Sequence, residues 1–190
     1  TVPQKIMASL FQSITPRTAG FDTIAQNQMT QGSQLITTFL MFIGASPAST
    51  GGGVKTTTFF VLFATAFLYS DSSDSLAAKG RTIASHTVYK AVGMVAKGLI
   101  IVFVGAICIV LYEGSFGNQI ALMDAVFEVT SAFGTVGLSE GITLSLHWVS
   151  KLILIFTMYI GRVGLFAVAM PKLHKLEGYA ELPSADILIG

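Results

Sequence analysis

A Thr-x-Gly-apolar tetrapeptide occurs twice in the sequence, each time between a short apolar run and a long one. Selection of a dehydrated cation requires oxygen ligands that replace the hydration shell, and rings of backbone carbonyls provide such ligands in potassium filters. Glycine tolerates positive φ, which turns successive carbonyls toward one axis where a Cβ would clash. The two tetrapeptides therefore predict a filter whose ion-binding residues are Thr18, Ala19, Gly20, Phe21, Thr135, Val136, Gly137 and Leu138.

Further roles are predicted around the two loops. Asp22 directly follows the first loop, and Glu140 follows the second at a short distance. We expect both carboxylates to hold cations at the outer mouth of the filter. We also expect Phe21 and Leu138 to pack behind their loops.

A second unusual stretch, GASPASTGGGVK, interrupts the apolar segment 35–69 with small residues, a proline and three consecutive glycines. Irregular backbone within a membrane is tolerated only where it is buried or lines a cavity. We therefore predict an unwound loop in the pore beneath the filter, and the alternative is a plain turn joining two crossings. The residues of this predicted gate are Gly44, Ala45, Ser46, Pro47, Ala48, Ser49, Thr50, Gly51, Gly52, Gly53 and Arg162.

Arg162 belongs to the predicted gate because it lies inside the apolar segment 149–170. A charge at bilayer depth costs about 2.5 kcal/mol or more, so the side chain should face the protein interior or a water-filled cavity. A shift of 117 residues that aligns the two tetrapeptides also aligns Arg162 with Ala45. We therefore expect arginine and loop to meet, with loop carbonyls accepting from the guanidinium. The alternative is a structural arginine bonded to neighbouring helices.

The composition indicates a multi-pass protein of the lipid bilayer. The 190 residues are 52% hydrophobic and 11% charged, with a mean hydropathy of +0.70, whereas soluble domains carry about 25% charged residues. The net charge of +1 and the lack of a basic tract argue against a nucleic-acid partner.

The lengths of the apolar segments predict the elements that position these loops. Residues 91–112 match the length of about 20 residues that a transmembrane helix needs, and residues 149–170 also match it. Residues 121–133 are too short to cross, which is typical of a re-entrant helix. We therefore predict an all-α membrane protein of membrane–pore–membrane repeats, with re-entrant pore helices and extended filter loops.

Flanking charges predict the orientation of the spans. Lys79, Arg81 and Lys90 precede residue 91, and two lysines follow Pro171, so both flanks read as cytoplasmic. Residues 113–150 contain four acidic residues and no Lys or Arg, which predicts that they are external. The C-terminus is therefore expected in the cytoplasm.

The 117-residue repeat divides the chain into parts. The same shift aligns Met41-Phe42-Ile43-Gly44 with Met158-Tyr159-Ile160-Gly161 without a gap. Residues 1–69 are interpreted as a pore unit lacking its outer helix, with a pore helix, a filter and a broken inner helix. Residues 70–90 are a cytoplasmic linker, residues 91–170 a complete pore unit, and residues 171–190 a cytoplasmic tail.

Two enzyme-like motifs fail in their details. GGGVKTTT resembles a phosphate-binding loop, but Val54 rather than glycine precedes Lys55. GLSEG matches a nucleophile elbow, which requires a preceding strand where a short helix is predicted. We therefore do not expect an enzyme.

Five motifs in order carry a family resemblance: TPRTAGFDT, GASPASTGGGVKTTTFF, TSAFGTVGLSEGIT, MYIGRVGLF and DILIG. Together they resemble the membrane subunit of the Ktr/Trk/HKT potassium transporters, closest to the bacterial Ktr type. That family combines four pore units in one polypeptide, each giving one quarter of a filter. The resemblance implies that this chain is the third unit and the complete fourth unit, and that the N-terminal half of the same protein is missing.

The resemblance also implies function and partners. It predicts the pore-forming subunit of a potassium uptake system in the plasma membrane, with channel-like K⁺ translocation and a gating loop. It further implies a homodimer and a cytoplasmic, nucleotide-binding regulatory subunit (KtrA-like), and leaves open Na⁺ as a coupling or activating ion, as in a symporter. The alternatives are the potassium-binding subunit of an ATP-driven pump, and a membrane scaffold or enzyme without an ion path.

Overall fold

The computed structural model describes residues 2–68, 76–78 and 81–164. Helices dominate this part of the chain, in agreement with the predicted all-α class, and a hairpin of two three-residue strands is an addition to it. The elements in chain order are α1 (Val2–Ile14), a 3-10 helix (Gln26–Gln28), α2 (Gln31–Phe42), α3 (Thr56–Leu68), β1 (Leu76–Ala78), β2 (Arg81–Ile83), α4 (Ser85–Ser115), α5 (Leu122–Gly134), a 3-10 helix (Ile142–Leu144) and α6 (Trp148–Val163).

Helix α4 is the element best suited to crossing a membrane. Its 31 residues would extend about 46 Å at 1.5 Å per residue. Among the described residues it alone is both long and apolar enough to cross, while α3 is a shorter apolar helix. Helix α4 begins at Ser85, six residues before the span predicted from hydropathy. The predicted tail, residues 171–190, lies outside the described residues.

The predicted break in the first inner helix separates α2 from α3. The ends of the intervening loop are joined by a parallel bridge between Ile43 and Val54. The amide of Gly44 donates to the carbonyl of Val54 over 2.9 Å, and the amide of Val54 donates to the carbonyl of Phe42 over 3.2 Å. A Cβ on Gly44 would lie 1.9 Å from the carbonyl oxygen of Gly52, so this closure requires glycine. The loop therefore leaves and re-enters the helical core at one point.

Helix α5 forms the centre of the packed core. It contacts α2, α4 and α6, and its residues from Phe127 to Gly134 are all buried. The ring of Phe133 stacks on that of Phe42 with centroids 5.8 Å apart. Gly98 of α4 faces both rings, and a Cβ there would lie 3.2 Å from each. By contrast, α1 has no buried residue in the described structure.

Glu113 joins the end of α4 to the start of α6. Its side chain is fully buried, and Oε1 accepts from the amide of His147 over 2.8 Å and from the hydroxyl of Ser150 over 2.5 Å. Oε2 accepts from Nδ2 of Asn118 over 2.8 Å. A carboxylate at a helix N-terminus satisfies amides that lack a partner within the helix. Glu113 therefore fixes the position from which α6 begins.

Candidate functional site

The two Thr-x-Gly loops share an unusual backbone conformation. Thr18 and Thr135 have φ of 63° and 51°, and Gly20 and Gly137 have φ of 72° and 95°. Positive φ is uncommon outside glycine and is an outlier for a β-branched residue such as threonine. Both loops adopt it at the two positions that the repeat aligns. The sequence similarity of the loops is therefore also a similarity of backbone shape.

The backbones of the two loops are in contact. A Cβ on Gly20 would lie 2.0 Å from the carbonyl oxygen of Val136. Any other residue at this position would displace one loop from the other. Within the described part of the chain, a Cβ on Gly137 meets no atom within 4 Å, so its positive φ is what favours glycine there.

Helix α5 supports the second loop directly. The amide of Val136 donates to the carbonyl of Ser131 over 2.9 Å, and the amide of Gly137 donates to Oγ of Ser131 over 3.2 Å. Leu138 is 1% exposed and packs behind the loop as expected. The same expectation was wrong for Phe21, whose side chain is 70% exposed.

The two predicted mouth acids differ in their surroundings. Asp22 accepts from Nε2 of Gln26 over 2.9 Å. Glu140 is only 7% exposed, so the expectation that it faces the outer mouth was wrong. Burial, together with the adjacent carboxyl of Asp124 and the charge of Glu128, raises the pKa of Glu140 to about 7. The burial of Glu140 depends on how residues 124–140 pack together, which the residues next to Glu140 in the sequence do not indicate.

The predicted gate loop lies against both threonines of the Thr-x-Gly loops. The amide of Gly52 donates to the hydroxyl of Thr135 over 2.8 Å. A Cβ on Gly51 would lie 2.8 Å from Cγ2 of Thr18, so this glycine packs on the first loop. The loop thus occupies the space next to both tetrapeptides.

Two cationic side chains hold the carbonyls of this loop. Arg162 donates from Nη1 to the carbonyl of Thr50, so arginine and loop meet. Lys55 donates from Nζ to the carbonyls of Gly51 over 2.6 Å and Ser49 over 3.3 Å. No role was predicted for Lys55 from the sequence. A signal existed, because a cation beside a helix N-terminus is disfavoured by the helix dipole and so needs another partner.

A cavity of about 900 Å³ borders the second loop. Its lining extends from Glu128 and Thr143 near the loop exit, along Met158 and Tyr159 of α6, to Arg162. The second loop and the arginine of the predicted gate therefore line one continuous space. Of the residues predicted for the site, all lie within the described residues, and the fold brings loops, glycine-rich stretch and arginine together.

Comparison with known proteins finds similarity over nearly the whole chain. Residues 1–179 match the family model described as TrkH, cation transport protein. Ktr system potassium uptake protein B of Bacillus subtilis is 35% identical over 189 residues, covering 100% of this chain and 41% of that protein. Potassium/sodium uptake protein NtpJ of Enterococcus hirae is 35% identical over 193 residues, covering 100% and 43%. Ktr system potassium uptake protein B of Vibrio alginolyticus is 33% identical over 184 residues, covering 97% and 39%. The chain therefore spans less than half the length of these relatives.

Proposed function

The chain belongs to the TrkH family of cation transport proteins, and we propose on this basis that it forms part of the ion pathway of a potassium uptake system. The names of the relatives describe uptake of potassium, and one name also includes sodium. Potassium is thus the proposed cargo, and sodium is the second cation to measure. In this proposal the protein moves the ion through a pore without catalysing a reaction.

The single observation that carries the proposal is the shared backbone of the two loops. Positive φ at both aligned threonines and both aligned glycines supports a role in directing carbonyls toward a common axis. The contact of Gly20 with Val136 is what neighbouring parts of one ring would make. Two further loops of this kind, from the rest of a polypeptide about as long as the relatives, would complete a four-part filter.

The glycine-rich loop is the proposed gate. Its contacts with Thr18 and Thr135 support a position directly beneath the filter. Its carbonyls are held by Lys55 and Arg162 through side-chain hydrogen bonds. Such bonds can break without unfolding a helix, so the loop can move while its bridged ends stay fixed. Positive charges beside the path would oppose cation passage as long as the loop is closed.

The setting of the proposed pore follows from the family resemblance. We place it in the plasma membrane with a cytoplasmic C-terminus, as one copy of a homodimer, regulated by a cytoplasmic nucleotide-binding subunit. Movement of the gate loop would be the step that such a subunit controls.

The test is cation uptake by the complete transporter in proteoliposomes. Gly137→Ser should reduce K⁺-over-Na⁺ discrimination, because serine disfavours the φ of 95°. Gly117→Ser is the matched control, since Gly117 has φ of 77° and open surroundings but lies in the turn after α4. Equal discrimination by the unaltered protein and the Gly137 variant would refute the filter assignment. Uptake that requires ATP hydrolysis by a co-purified subunit would instead indicate the pump.

A further inference from the structure

A buried polar hub lies behind each Thr-x-Gly loop. Gln26, next to the first loop, is 1% exposed, and Glu128, next to the second, is 5% exposed. Neither residue was given a role from the sequence pattern. Buried polar groups are costly unless they are hydrogen-bonded, so the partners of these two side chains indicate what they do.

Gln26 connects the exit of the first loop to the helix that precedes it. Its Nε2 donates to Oδ1 of Asp22 over 2.9 Å and to the carbonyl of Ile24 over 2.7 Å. Its Oε1 accepts from Nε2 of Gln12, on α1, over 2.9 Å. The chain that leaves the loop is thereby tied to α1.

Glu128 makes the corresponding connection for the second loop. Its Oε1 accepts from the hydroxyl of Ser139 and, over 3.1 Å, from the amide of Glu140. Its Oε2 accepts from the hydroxyl of Thr143 over 2.9 Å. Three donors converge on one carboxylate of α5, so the chain leaving this loop is tied to α5.

The two connections join aligned positions. Asp22 and Ser139 each lie two residues after the loop glycine, and Gln26 and Thr143 each lie six residues after it. In the first unit the central side chain, Gln26, belongs to the chain that leaves the loop. In the second unit the central side chain, Glu128, belongs to helix α5. Different side chains therefore achieve the same tether at the same two positions. Because both units have this connection at the same positions but form it with different side chains, we interpret it as a functional feature of the loops.

We propose that Gln26 and Glu128 are positioning residues that fix the exit of each Thr-x-Gly loop and thereby its discrimination between cations. This inference rests on the proposed function, because it adds a determinant of selectivity to the proposed filter. Neither residue needs to touch the ion. Each would act by limiting movement of the backbone whose carbonyls do.

The main test uses Glu128→Gln and Gln26→Met in the complete transporter. Glutamine in place of Glu128 keeps the size but loses one acceptor and the charge, while methionine in place of Gln26 removes all its hydrogen bonds. We expect a loss of K⁺-over-Na⁺ discrimination of roughly tenfold, the effect of about 1.4 kcal/mol, at an equal amount of inserted protein. Ser145→Ala is the control, because Ser145 is exposed and bonds only locally to Ile142; it should leave discrimination unchanged.

A second measurement does not depend on transport. Hydrogen–deuterium exchange of the amides of Gly137 and Glu140 should increase in Glu128→Gln. Thr143→Val removes a single bond to Glu128 and serves if Glu128→Gln fails to insert, with a smaller effect in the same direction. Unchanged amide exchange or unchanged discrimination in the variants would overturn the inference. Lack of K⁺ transport by the unaltered protein would refute the proposed function instead, and the exchange experiment would still decide whether the tethers hold the loops.

Discussion

Arg162, in the last turn of α6, donates a hydrogen bond to the backbone carbonyl of Thr50, which lies 112 residues earlier in the chain. A carbonyl carries only a partial charge, so this bond leaves most of the positive charge of the guanidinium in place. The end of α6 is thus attached to the tip of the glycine-rich loop. Movement of that end of the helix would be transmitted to the loop.

The first prediction concerns this bond. Arg162→Ala should raise K⁺ uptake per inserted protein by several-fold and reduce its dependence on the regulatory subunit, because a positive charge and a tether of the loop are both lost. Uptake into proteoliposomes, with and without the regulator, measures both effects. A structural arginine predicts the opposite: poor insertion and lower uptake.

The second prediction concerns Lys55, which holds the loop from its other end. Lys55→Met should also raise K⁺ uptake, since the carbonyls of Ser49 and Gly51 lose their donor. The double variant with Arg162→Ala should deviate from the product of the single effects, because both residues act on one loop. Lys151→Met is the control, since Lys151 contacts a carbonyl outside the loop. Independent effects of the two residues would argue against a shared gate.

The third prediction concerns the loop itself. A Cβ on Gly51 would lie 2.7 Å from Cβ of Ala45, so the two ends of the intervening segment are adjacent. Residues 46–50 can therefore be deleted with little strain on the bridge between Ile43 and Val54. Such a deletion should raise K⁺ uptake if the loop is a barrier. Lower uptake by a deletion variant that inserts normally would contradict the barrier role.

The main features of the site were predictable because they interrupt a pattern. Glycines and a proline within an apolar segment revealed the broken helix, and the 117-residue repeat brought Arg162 to the loop. The buried polar residues Gln26, Glu128 and Glu113 were not predictable in this way. Periodicity indicates which face of a helix is buried, but the donors that satisfy a buried Glu113 lie up to 37 residues away. Their positions depend on how the helices pack, which no local pattern states.

The fourth prediction concerns Glu113 and the stability of the pair α4 and α6. Glu113→Leu should lower the melting temperature in detergent, because the amide of His147 and the hydroxyl of Ser150 lose their acceptor. Leaving a buried donor unsatisfied costs about 1–3 kcal/mol. Ser115→Ala is the control, since its exposed hydroxyl bonds only to the carbonyl of Leu111. An unchanged melting temperature in Glu113→Leu would show that other contacts position α6.

The last prediction is a pH dependence of stability caused by Glu140. Its pKa is raised from an ordinary value of 4.5 to about 7, chiefly by burial and then by Asp124 and Glu128. Between these two pH values the folded protein retains a proton that the unfolded chain has released. The resulting stability is fully present below pH 4.5 and is lost as the pH rises through 7. At about 1.4 kcal/mol per pH unit, the loss reaches about 3 kcal/mol.

Melting temperatures of the unaltered protein, Glu140→Gln and Asp124→Asn between pH 5 and pH 8, about the range over which this carboxyl titrates, test that dependence. The unaltered protein should lose stability with rising pH relative to Glu140→Gln, which has no proton to release there. Asp124→Asn removes a neighbouring acid and so lowers the pKa of Glu140 in the folded protein. The loss of stability in this variant should therefore end at lower pH and be smaller. Parallel curves for the unaltered protein and Glu140→Gln would mean that Glu140 is already ionised at pH 5, and that its buried carboxylate is neutralised by a group from outside these residues.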